Sequence, residues 1–99
     1  MSRTGGGLRV HLLNFLVDRA PILAFLDTRP EILNWLAVSG NSVLIVSKSD
    51  VTAITALLHF QFPWLWFLIT EVDRGAVNGW ANREVWDFIN NPKSSGRWT

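Results

Sequence analysis

Hydrophobic and polar positions change their period along the chain, and each change marks an element. Leu8, Val10, Leu12, Asn14 and Leu16 alternate with Arg9, His11, Leu13, Phe15 and Val17. So nearly continuous an apolar run, closing on "VDR", predicts an inner strand. Ile22, Phe25 and Leu26 then share one helical stripe, with Pro21 suited to a first turn and Asp18 placed upstream as a cap. Pro30 stops that helix, since it removes a donor and restricts the residue before it.

"PEILNWLAV" and "SVLIVS" are two apolar runs separated by the turn signal "SGNS". The second reads as a strand, and the turn makes the first its hairpin partner, although propensity alone would allow residues 30–38 to be a short helix. Further on, Val51, Ile54, Leu57 and Leu58 recur at i, i+3, i+6 and i+7, which predicts a helix over 50–59, capped by Ser49 or Asp50. Past Pro63, the run from Trp64 to Ile69 has no period; it predicts a central strand over 64–72, buried on both faces. "DRGAVNG" is a loop. "NREVWDFINN" is a final helix with Asn82 as its cap, Val85, Phe88 and Ile89 on its stripe, and Pro92 at its end.

Residues 51–70 carry no formal charge and equal a bilayer span in length. Pro63, His59, Gln61, Thr52 and Thr55 fall inside the segment, and neither flank has the Lys/Arg cluster that orients a span, so helix, turn and strand are expected there and no membrane partner. "LRVHLLNFLVD" is interrupted by Arg9, His11 and Asn14 and leads to no small-residue cleavage site, so a secretory signal is not expected.

The predicted order is strand, helix, strand, strand, helix, strand, then a helix. That is an α+β class chain of ferredoxin-like β-α-β-β-α-β type: an antiparallel sheet, two helices on one face and an added C-terminal helix. Its second face then needs covering by dimerisation or by the last helix. The organisation expected is a flexible Gly-rich lead over 1–7, one domain over 8–91 and a tail over 92–99.

Composition sharpens this picture. Apolar residues make up 48% of 99 and charged ones 17%, with six tryptophans, so surface charge is scarce and self-association is favoured. The net charge is +1, split as five basic and four acidic groups in residues 1–50 and four of each in 51–99, without a polybasic stretch for nucleic acid. Arg3, Arg9, Lys93 and Arg97 near the two ends are the nearest thing to one. Cysteine is absent, which excludes disulfides and thiolate metal sites and permits a cytoplasmic location.

Candidate chemistry is sparse. His11 and His59 lie far apart with no acidic spacing around either; Ser47 and Ser49 sit in no nucleophile motif; and "RTGGGLR" lacks the spacing and the Lys-Ser/Thr of a phosphate loop. Trp80, Arg83, Trp86, Arg97 and Trp98 combine aromatic and Arg side chains, the types that interfaces and base stacking both use, and form the candidate binding set. Packing of the last helix across the sheet would account for Trp86 and Phe88 but not for Trp80 and Trp98.

"HLLNFLVD", "NSVLIVSKSD", "VTAITALL" and "WFLITEVD", in that order, resemble the small Cas2-like proteins and their stand-alone relatives labelled SinR-like, as a pattern over residues 8–73. The resemblance implies a homodimer packed through its sheets, with nucleic acid as a possible partner. It also implies, for some members, Mg²⁺- or Mn²⁺-dependent cleavage by an acidic residue at the end of the first strand. Asp18 is the residue near that position, but it follows "NFLV" without the family's aromatic-Asp pair. The expectation is a non-catalytic homodimer that binds a larger protein or nucleoprotein machine without a cofactor, a plan common in phages and mobile elements. Its alternative is a metal-dependent nuclease with Asp18 as ligand and catalytic group.

Overall fold

The computed structural model describes residues 7–96, so Arg3, Arg97 and Trp98 lie outside the described residues. Within them the order is β1 (Arg9–Phe15), α1 (Ala20–Leu26), β2 (Asn34–Ser39), β3 (Ser42–Ser47), α2 (Val51–Gln61), β4 (Phe67–Glu71) and α3 (Arg83–Asn90). One antiparallel sheet runs β2-β3-β1-β4, with β1 and β3 at its centre.

The two central strands have the most apolar sequences, and their alternation serves two cores. Leu13 and Phe15 of β1 and Val43 and Ile45 of β3 point to the first core, with Ile22 and Leu26 of α1 and Ile54 and Leu58 of α2. Val10, Leu44 and Val46 point the other way, where Ile89 of α3 closes on them with Val85, Trp86 and Phe88 alongside. Two helices thus cover one face and the third covers part of the other. No helix of the described residues is long and apolar enough to cross a membrane; segment 51–70 divides at Phe62 into a helix, a turn and a strand.

Most predicted elements are present, including the hairpin: β2 pairs with β3 around Gly40 and Asn41. Asp50 caps α2 through Ala53 N (2.9 Å), and Asn82 caps α3 through Val85 N (3.1 Å).

Two expectations are corrected. Asp18 does not cap α1, because the helix begins at Ala20 and Arg19 occupies the capping position, in helical backbone and without a side-chain bond. Nor is β4 central. It is an edge strand, half of whose side chains face solvent, with Trp66 just before it 81% and Leu68 within it 78% exposed. An unbroken apolar run fits an edge as well as a centre once one face is left uncovered.

Candidate interaction surface

Strand direction decides what gathers at each end of the sheet. β1 ends, β3 begins and β4 begins at the same end, because Asn14 stands opposite both Ser42 and Leu68. The connections 16–19, 40–41 and 62–66 therefore lie together there. Six of the seven large apolar side chains that are exposed among the described residues belong to this end: Leu16, Val38, Phe60, Trp64, Trp66 and Leu68. The seventh, Trp80, is on the connection from β4 to α3 and is fully exposed.

The three connections carry only two charges, Asp18 and Arg19. Arg19 donates from Nη1 to the Ser39 carbonyl (3.1 Å), tying the first connection to the hairpin. Phe62 anchors the third: it is buried, with Phe25 edge-on at 5.5 Å and Trp64 edge-on at 5.8 Å. The exposed aromatics accordingly stand on a packed base. At the same end the second face of the sheet runs out from under α3, which leaves Leu68 and its neighbour Asn14 exposed.

The opposite end carries two ion pairs. Arg9 bonds Glu71 (2.9 Å), and Arg29 holds Glu31 in a two-bond pair (3.0 and 3.1 Å). That pairing with Arg29 lowers the Glu31 pKa below the ordinary carboxylate value. His11 is buried on β1, with Nε2–H donating to the Ser49 carbonyl (2.8 Å) and Nδ1 without a partner. Burial lowers its pKa, against the opposing effect of the Ser49 carbonyl and Glu71. His59 is exposed in the last turn of α2, roughly 15 Å from the Ser49 end of that helix at 1.5 Å per residue. The two histidines form no pair.

Ser47 is buried and fully used: its hydroxyl donates to the Glu31 carbonyl (2.7 Å) and accepts from Ser49 N (3.0 Å). A cavity of about 160 Å³ beside Leu26, Asp27, Trp35 and Ser95 is smaller than small-molecule sites usually are. Among the described residues no three His, Asp or Glu side chains are grouped to hold a metal ion. Asp18 is exposed and caps no helix among the described residues.

The C-terminal candidates among the described residues differ in burial. Trp80 and Arg83 are exposed, whereas Trp86 is half-buried against the second core. Residues 92–96 run back to the start of β2, where Ser95 N donates to the Leu33 carbonyl (2.8 Å) and Asn34 Nδ2 to the Lys93 carbonyl (3.1 Å). Sequence reasoning missed the apolar end, although "FPWLW" was its signal; Leu16 and Val38 join it only through the fold. Comparison of the chain with protein-family models, curated proteins and solved structures gives no match.

Proposed function

We propose that this protein works by binding, as a homodimer that uses the β4 side of its apolar end, Trp66 and Leu68, for self-association and presents the rest to a larger protein or nucleoprotein machine. The gathering of Leu16, Val38, Phe60, Trp64, Trp66 and Leu68 at one end carries this reading. At ~150–250 Å² for a whole aromatic side chain, their exposed surface sums to on the order of 800 Å². One side of an ordinary protein interface is about that large. An end with a single basic residue favours a protein over nucleic acid.

The sheet order β2-β3-β1-β4, with helices following β1 and β3, supports reading the fold as ferredoxin-like. A cysteine-free chain suits a reducing cytoplasm.

Sedimentation equilibrium of the protein beside Leu68→Glu and Trp66→Glu tests the reading. Expected is a concentration-dependent dimer that both variants shift towards monomer while their circular dichroism stays that of the folded protein. A wild-type protein that stays monomeric at every concentration overturns the homodimer.

A second reading has one observation in its favour: the Asp18 carboxylate, in the connection that follows β1, is exposed and not spent on a cap. On that reading the protein is a Cas2-like nuclease using Mg²⁺ or Mn²⁺ across a dimer axis. Cleavage of labelled RNA or DNA that needs metal and is lost in Asp18→Asn would replace the first reading with this one.

A further inference from the structure

We infer that β4 is a self-pairing edge, through which two copies join antiparallel about a two-fold axis at Ile69 into one eight-stranded sheet. This deepens the homodimer reading and rests on it.

The sheet leaves two edges, and they differ. β2 is broken by a register shift between Ala37 and Ser39, and its start is hydrogen-bonded by the segment 92–96. Both features obstruct a further strand. β4 has neither. From Phe67 to Thr70 it contains no proline and no charge.

The direction of its peptide groups follows from the register. Val72 N–H donates to the Val10 carbonyl (2.7 Å), so the backbone groups of Val72, Thr70 and Leu68 turn towards β1. Those of Phe67 and Ile69 alternate outward, where no other strand pairs with them among the described residues.

With Ile69 opposite itself, its outward groups meet as a hydrogen-bonded pair, and Phe67 stands opposite Glu71 of the second copy. Leu68 then faces Thr70 and Trp66 faces Val72 across the second face of the sheet, which removes the exposed Leu68 and Trp66 side chains from water. Charge does not oppose this register. The strand's one acid, Glu71, stands beside Phe67, so the two copies of Glu71 are roughly 13 Å apart at 3.3 Å per residue. That exceeds the screening length of about 8 Å at physiological salt, and each Glu71 is already paired with Arg9. Association is isologous and closes at two, as two-fold symmetry requires.

Sedimentation velocity of the full chain, beside two variants, decides the matter. Ile69→Pro removes an outward N–H that the ladder to β1 does not use. Leu68→Cys combined with Thr70→Cys places thiols in a non-hydrogen-bonded pair whose Cα atoms stand about 4.5 Å apart, within disulfide reach. The cysteine-free background makes any bridge unambiguous.

Expected is a wild-type dimer, a monomeric Ile69→Pro with unchanged circular dichroism, and a covalent dimer of the double-cysteine variant on mild oxidation. A wild-type dimer that persists in folded Ile69→Pro and yields no covalent dimer overturns the edge while sparing the homodimer. A wild-type monomer at all concentrations overturns both and leaves β4 open to a strand from another protein. Should Ile69→Pro fail to fold, the double-cysteine result decides alone.

Discussion

The Nε2–H of His11 donates to the Ser49 carbonyl at 2.8 Å, joining the central strand to the residue just before the cap of α2. The ring is fully buried, and its Nδ1 meets no acceptor. Protonation would put a second N–H where nothing receives it. Arg9, Glu71 and Asp50 are the charged groups around the ring; burial, with Arg9 acting the same way, lowers its pKa against the Ser49 carbonyl, Glu71 and Asp50.

Stability should therefore depend on pH through this residue. Unfolded, the ring takes a proton near its ordinary value of 6.5; folded, it does so only at lower pH. Its contribution is whole above 6.5, falls as the pH drops from there towards the folded value, and is constant beneath that. Thermal melts between about pH 8 and 5 should show the fall. His11→Gln, which can still donate to the Ser49 carbonyl but does not titrate, should flatten it. Glu31 acts in a lower window, since Arg29 lowers its pKa from 4.5 and its contribution is lost only as the pH falls below that. A wild-type melting temperature unchanged from pH 7 to 5 would contradict the His11 assignment.

Caps and non-caps separate in the same way. Asp50→Ala removes the acceptor for Ala53 N, and Asn82→Ala the acceptor for Val85 N. Each should cost about 1 kcal/mol in denaturant titrations. Asp18→Ala should stay within ~0.5 kcal/mol, since the side chain is exposed and caps no helix. A loss at Asp18 equal to that at Asp50 would restore the capping role that the sequence suggests.

Much of the fold is legible where polar residues punctuate the pattern. "SGNS" divides β2 from β3, Asp50 and Asn82 announce their helices, and Pro30 and Pro92 lie just beyond helix ends. Legibility fails where apolar residues run unbroken. From Trp64 to Ile69 nothing distinguishes a side chain entering a core from one left on an open face, because both are apolar. Asp18 misleads for a smaller reason: any of three consecutive polar or small residues could precede a helix, and a start at Ala20 leaves the acid one place early. The apolar end as a whole depends on strands from distant parts of the sequence ending at one level, a relationship that no local pattern contains.

Leu13 and Leu68 measure the difference between the two kinds of apolar position. They lie on adjacent strands, one fully buried in the first core and the other 78% exposed on the opposite face. Leu13→Ala should lower stability by about 2–5 kcal/mol through lost burial and the cavity left behind. Leu68→Ala should change monomer stability by less than about 0.5 kcal/mol. Chemical denaturation at a concentration low enough to dissociate the protein checks both. A large loss at Leu68 under those conditions would mean that its side chain packs within one chain.

The stretch "HFQFPWLW" offers the sharpest contrast, because its aromatic residues differ in burial while sharing chemistry. Phe62 is buried, with Phe25 and Trp64 both edge-on to its ring, and its backbone N–H closes α2 on the Leu58 carbonyl (2.8 Å). Phe60, two residues earlier, is 89% exposed. Phe62→Ala should cost about 3–5 kcal/mol and free Trp64, whose fluorescence should then shift to the red. Phe60→Ala should leave stability and emission unchanged while weakening any association made by the apolar end, since truncation there removes only surface. Destabilisation by Phe60→Ala as large as that by Phe62→Ala would place Phe60 in the core and withdraw it from the interaction surface.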